Sequence, residues 1–208
     1  MASYSTMRPL LLGPPVGNVL TLLLLLVAVL VSVWLLSALS KWATEKVWKG
    51  KARMQNSLKE FESLLSMALP LLQSISESES SIRPASDKWS KKEILGHLID
   101  SASNNHQRFV RAQLSSEIRL PEYEQERWVR AQSYETESWE NIVELWKSFN
   151  LHLLHVAAKI PVDKANSLCF IGENEPVTLE FLFSGYVDHV KHHLQQILTE
   201  HPLKDVGV

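Results

Sequence analysis

The sequence predicts an all-α protein, a four-helix bundle preceded by one transmembrane helix. Three observations carry this reading. An uncharged run of twenty-one residues without Pro or Gly, Val19 to Leu39, stands near the start of the chain. Four later stretches repeat apolar residues at three- and four-residue spacing, the period of a helix that buries one face. Strand-like alternation is confined to short pieces such as Ser167 to Ile171.

The apolar run comes first. At 1.5 Å of rise per residue it makes about 30 Å of helix, enough to cross a bilayer core. A cleaved secretory signal is the competing reading, kept open by the small residues Ala38 and Ser40; the apolar part of such a signal usually spans only about 7–15 residues. Lys41, Lys46, Lys49, Lys51 and Arg53 follow the run, whereas Arg8 alone precedes it. The positive-inside rule then places the carboxy-terminal domain in the cytoplasm, making the chain a single-pass membrane protein. A start of translation at Met54, where the amphipathic pattern begins, would instead leave a cytoplasmic domain alone. The expected organisation is a tail at 1–18, the transmembrane helix at 19–40, a basic juxtamembrane linker at 41–53, the bundle at 54–200 and a tail at 201–208.

The first bundle helix is expected from 54 to about 76, with Leu58, Phe61, Leu64, Leu65 and Met67 on its buried face and a kink at Pro70. Ser74 to Asp87, rich in Ser and Glu, reads as a loop. The second helix opens at Ser90, whose hydroxyl and Glu93 form a capping box, and runs to about Gln113 through Ile94, Leu95, Leu98, Ala102 and Phe109. Residues 114–136 are too long for a tight turn and must cross the bundle or cover one end. The third helix is expected from about Ser138 to Ile160 through Ile142, Leu145, Trp146, Phe149, Leu153 and Val156. The fourth, capped by Thr178, continues through Leu182, Tyr186, His189, His193 and Ile197 to about Thr199.

The net charge of −2 conceals an asymmetry. Residues 1–53 hold six Lys/Arg against the single acid Glu45, so the domain that follows carries about −7. An acidic domain without a basic stripe is a poor nucleic-acid binder, and no nucleic-acid partner is expected. The single cysteine, Cys169, excludes an intrachain disulfide and a thiolate-rich structural zinc site. A metal here must rest on histidine and carboxylate.

Three of the eight histidines crowd the fourth helix in Asp188-His189-Val190-Lys191-His192-His193. His189 and His193 are four apart, one above the other on a single face, so both imidazoles can address one ion. His192 is turned about 100° away from His193. The expected third ligand is His97, set among Ile94, Leu95 and Leu98; a core histidine bonded to a neighbouring helix is its competing reading. Three histidines leave a fourth coordination position open for solvent or substrate. Zinc is the leading ion for such a site, and nickel or iron would also accept imidazoles. Asp100, three residues from His97, is a candidate to orient it, with Asp188 a weaker one. Arg108 is a candidate to bind a substrate carboxylate, against a plain surface salt bridge. Tyr123 and Trp128 either close over the site or anchor the long connection to the bundle. His106, His152, His155 and His201 read as structural or exposed.

Lys88-Trp89-Ser90, Gly96-His97-Leu98-Ile99-Asp100-Ser101, Arg108-Phe109, Pro121 to Trp128 and Tyr186 to His193 together resemble the DinB superfamily, and within it most the YfiT group of metal-dependent hydrolases and bacillithiol S-transferases. The resemblance spans about residues 54–200. It implies an up-down-down-up four-helix bundle with one divalent metal on three histidines, which carry over to His97, His189 and His193. It further implies a reaction at metal-bound water or thiolate, a small-molecule substrate, often a low-molecular-weight thiol, and a homodimer. The membrane anchor departs from the family pattern, and so does Asp188, where relatives often have an aromatic residue. The expected function is a metal-dependent hydrolase or thiol S-transferase; the alternative is a membrane-tethered binding or stress-response scaffold whose metal is structural or absent.

The full-length chain is expected in the membrane fraction after cell lysis, resisting extraction by high salt and alkali because its anchor is a span and not a basic surface helix. Protease added outside intact cells should leave the domain uncut; cleavage from outside would reverse the topology.

Overall fold

The computed structural model describes residues 16–199; residues 1–15 of the tail expected at 1–18 and the whole tail expected at 201–208, with Arg8 and His201, lie outside the described residues. Two compact units divide after Lys46. Helix α1 spans Val16–Ser74. In the first unit its apolar run is exposed throughout, from Val19 to Leu39, with a mean hydropathy of 3.0 in its most apolar window. By length and composition it is a candidate membrane span. Residues 41–53, expected as a linker, are themselves helical.

In the second unit α1 packs with three long helices, α3 (Lys91–Leu114), α5 (Trp139–Ala158) and α6 (Leu179–Ile197), as a four-helix bundle. Helix α1 continues through Pro70 to Ser74. The expected starts hold at three helices. Ser90 and Glu93 form the reciprocal capping box of α3, Ser138 accepts from the Asn141 N–H, and Thr178 accepts from the Phe181 N–H.

A buried aromatic cluster ties three of these helices together. Phe61 of α1 meets the edges of Phe183 and Tyr186 of α6, at centroid distances of 6.0 and 5.6 Å, and Phe109 of α3 meets the same two rings at 5.6 and 5.9 Å. Such edge-to-face pairs add to the burial of large apolar area. Tyr186 also donates to the Asn150 side chain of α5, so the one polar atom of the cluster is satisfied within the core. Leu145 is a correction on α5: expected on the apolar face, it is 47% exposed.

The loop expected at 74–87 contains a one-turn helix, α2 (Glu77–Ser80), capped by Ser76. Its Glu77 carboxylate accepts from Lys92 of α3 and, at 2.7 Å, from the Trp139 N–H at the start of α5. Lys92, only 2% exposed, gives a further hydrogen bond to the Glu137 carbonyl. A buried ammonium is tolerated only when paired in this way, so α2 fastens α3 to α5.

The all-α expectation needs one addition, a small three-stranded sheet at one end. Strand β1 (Glu117–Leu120) pairs in parallel with β2 (Leu168–Ile171), Ile118 opposite Cys169, and β2 pairs antiparallel with β3 (Val177–Thr178). Between β1 and α5 lies α4 (Gln125–Gln132). The long connection therefore has its own structure, and it lies against α3.

Phe61→Ala should lower the unfolding free energy by about 3–5 kcal/mol, the usual cost of emptying a fully buried aromatic site. Urea unfolding of the detergent-solubilised chain checks this: the midpoint should fall with little change in slope.

Candidate metal centre

The centre forms where α3 and α6 meet. His97 is fully buried on α3, while His189 and His193 lie one turn apart on α6 and are half-buried. Ring centroids are 5.0 Å apart for His97 and His189, 4.8 Å for His97 and His193, and 4.6 Å for His189 and His193. One nitrogen from each of the three rings lies within 4.8 Å of the other two. The Nε2 atoms of His97 and His189 are 3.1 Å apart.

A shared hydrogen bond would account for that pair but leaves the third ring unexplained. Tetrahedral zinc, with bonds of about 2.0–2.1 Å to imidazole, requires ligand nitrogens about 3.3 Å apart, close to what this pair shows. The donor set therefore fits a divalent ion. Burial, and then the neighbouring histidines, push the His97 pKa down to about 3 and that of His189 to about 4. Burial also lowers His193, opposed by a hydrogen bond to Gln196. All three rings are thus neutral at neutral pH and offer lone pairs without competition from protons.

Neighbouring side chains fix two of the rings. His193 Nδ1–H donates to Gln196 Oε1 at 2.9 Å, leaving Nε2 as its lone-pair nitrogen, and the Gln196 amide in turn donates to His192 Nε2 at 3.0 Å. His192 is thereby engaged away from the centre, as its place on the helix predicts. The Trp89 ring lies 5.3 Å from His97, centroid to centroid, and Tyr123 stacks on the other flank at 6.5 Å. Neither Trp89 nor Gln196 was expected in a supporting role from sequence. The spacing of three between His193 and Gln196 was the available signal for the second.

Asp100 calls for a correction. Expected to orient His97, its carboxylate accepts instead from the Tyr134 hydroxyl at 2.8 Å and from the Gln132 amide. Its second oxygen and His97 Nδ1 are both buried without a partner. Burial raises the Asp100 pKa to about 6, against those two hydrogen bonds. Tyr134 reaches this position because Gly96 leaves room: a Cβ on Gly96 would fall 2.2 Å from the tyrosine ring. A glycine inside a helix, directly before a histidine, was the sequence signal for that close approach.

Arg108 forms no salt bridge among the described residues; it donates to the Asn105 side chain at 3.4 Å and lines a cavity shared with His189 and Tyr123. Of the two aromatics on the long connection, Tyr123 closes on the centre, while Trp128 packs on Tyr123 at 5.1 Å and lines a separate cavity with Asp100. Asp188 is exposed. His106 packs on His152 at 5.3 Å, and His152 and His155 are exposed. Cys169 is fully buried and donates weakly to the Ser167 carbonyl, and burial pushes its thiol up to about 11.

The model of the DinB superfamily matches residues 60–197, more than half of the chain. The chain belongs to the DinB superfamily. Among solved structures it is similar to YfiT from Bacillus subtilis, described as a probable metal-dependent hydrolase with an unusual four-helix bundle topology. That likeness has a TM-score of 0.61 at 16% identity, covering 71% of this chain and 86% of YfiT. It is also similar to the mycothiol-dependent maleylpyruvate isomerase, with a TM-score of 0.60 at 11% identity, covering 69% of this chain and 60% of the isomerase. At these identities the two structures show a shared fold. No curated protein matches the chain.

In the presence of chelator, stability should fall as pH drops below about 6.5, the pKa of histidine in the unfolded chain. Between that value and the depressed folded values of His97 and His189, the unfolded chain binds more protons, so acid favours unfolding. The expected loss is on the order of 1 kcal/mol per pH unit for each ring after solvent screening. Thermal unfolding from pH 7.5 to 4.5 checks it, and His97→Gln should flatten the slope.

Proposed function

We propose that the domain is a metal-dependent enzyme, a hydrolase or a low-molecular-weight-thiol S-transferase, acting through one divalent ion held by His97, His189 and His193. The observation that carries this reading is the convergence of three neutral imidazoles from two helices with no carboxylate or thiolate completing the set among the described residues. Three ligands leave a position for an exchangeable group, whereas a structural site is closed by a fourth. Zinc is the proposed ion, with nickel or iron as the other imidazole-binding choices. When bound, such an ion lowers the pKa of water or a thiol toward neutrality and polarises the bond under attack.

The chain's own residues would do the rest. Gln196 holds His193 in the tautomer that presents Nε2. Trp89 and Tyr123 flank His97 and keep water from its faces. Cys169 is protonated and buried, which argues for a nucleophile brought in from outside, water or thiol, and against a covalent enzyme intermediate on sulfur. The similarity to YfiT supports metal dependence, and the similarity to a mycothiol-dependent isomerase supports a thiol cosubstrate. The apolar run at 19–40 would tether this activity to a membrane, with the domain on the cytoplasmic side.

Purified without chelator, the full-length chain in detergent should carry about one divalent ion per chain by elemental analysis. His193→Ala should abolish that content and His192→Ala should leave most of it; equal loss in both would place the ligands on the wrong face of α6. Cys169→Ser should retain activity near the parent level, and His97→Ala should lose it with the ion. A cobalt-loaded chain should show sulfur-to-metal charge transfer on addition of a thiol substrate, and none if the enzyme is purely hydrolytic. Absence of metal after reconstitution with zinc, nickel, manganese and iron in turn would return the domain to the scaffold reading.

A further inference from the structure

Gly185 lies in the interior of α6, and a Cβ added there would meet no atom within 4 Å. A glycine at such a position disfavours the helix relative to alanine, and no protein neighbour requires it. The space it leaves belongs to a cavity of about 300 Å³. One wall carries His189 of the metal centre, another carries Arg108 with Ser101 and Asn105 of α3, and Phe181 and Leu182 supply apolar surface.

The guanidinium in this cavity has no ion-pair partner among the described residues. Its hydrogen bond to Asn105 is long, at 3.4 Å, and no carboxylate reaches ion-pair distance of it among the described residues. Glu122 acts on Arg108 only through space, its carboxylate being engaged by the Asn174 amide. A largely buried and unpaired cation is unfavourable unless something of opposite charge joins it. The planar fork of arginine matches a carboxylate or phosphate in two parallel hydrogen bonds.

We propose that this cavity takes a small oxyanion-bearing molecule, with its carboxylate or phosphate on Arg108 and its body lying over Gly185 toward His189. The site deepens the reading of the three histidines as a reaction centre, and rests on it for the direction in which the substrate points. The anion on Arg108 fixes one end, so that the other end lies at the histidines. Gly185 sets how wide the body can be.

Titration calorimetry on the detergent-solubilised full-length chain tests this, with benzoate, inorganic phosphate and uncharged benzamide as probes. It is run on the chain as purified and again after chelation, with metal content measured in each sample. Benzoate or phosphate should bind in both samples, and whichever binds names the class of oxyanion; benzamide should not bind. Arg108→Met should weaken anion binding at least tenfold while leaving metal content unchanged, and Arg108→Lys should weaken it less. Gly185→Val should exclude benzoate to a similar extent without lowering the unfolding temperature. Equal binding by the parent and Arg108→Met, equal binding of benzamide and benzoate, or no anion binding by the parent would overturn the proposal. Because the anion is measured with and without metal, its loss is separable from failure of the histidine centre, which the metal content alone reports.

Discussion

Three imidazoles held together, one fully buried and two half-buried, constrain everything around them. His97, His189 and His193 cannot share this space as cations, because burial and their mutual repulsion both oppose protonation. As neutral rings they still leave a buried nitrogen of His97 without a partner. The hydrogen bond between the rings of α3 and α6, that of His97 with His189, is a weak tie, so the helices that carry the cluster are held together by contacts elsewhere. The aromatic cluster of Phe61, Phe109, Phe183 and Tyr186 supplies those contacts between α1, α3 and α6. It includes both helices that bear the histidines, so the apolar core and the centre share the α3–α6 interface.

The long connection between α3 and α5 completes the enclosure. Ser133 adopts a left-handed conformation, with φ of 52°, at the end of α4, and the chain then sets Tyr134 into the gap left by Gly96. The tyrosine hydroxyl reaches Asp100, and earlier in the same connection Tyr123 covers a face of His97. This segment thus meets the centre through Tyr123 and packs on α3 beside it through Tyr134, with α2 bracing α3 against α5 through Glu77 and Lys92.

The division of chemistry within the domain follows from the same layout. Lone pairs gather at the α3–α6 contact, a cation outside any ion pair among the described residues stands along the same helix α3, and the one thiol is buried and protonated. The bundle is common to a described hydrolase and a described isomerase, so the frame by itself does not choose a reaction. The walls that would choose it are the residues between Arg108 and His189, including the bare helix surface at Gly185.

Local signals were strong where a single helix decides the outcome. The period of apolar residues gave the four long helices, capping chemistry at Ser90 and Thr178 gave the starts of two of them, and the spacing of four between His189 and His193 gave their common face. His97 was legible because a histidine amid Ile94, Leu95 and Leu98 must turn inward with them. Contacts between elements far apart in sequence left no such period. The partner of Asp100 depended on where Tyr134 lands, the parallel pairing of β1 with β2 on strands separated by two helices, and the isolation of Arg108 on the path of Tyr123. Sequence by itself determined which helix faces are buried and which side chains can act together on one helix, because helical geometry repeats every few residues. Only the tertiary structure decided what those side chains meet across the gaps, because that depends on how long connections are laid over the bundle, and no local periodicity encodes their path.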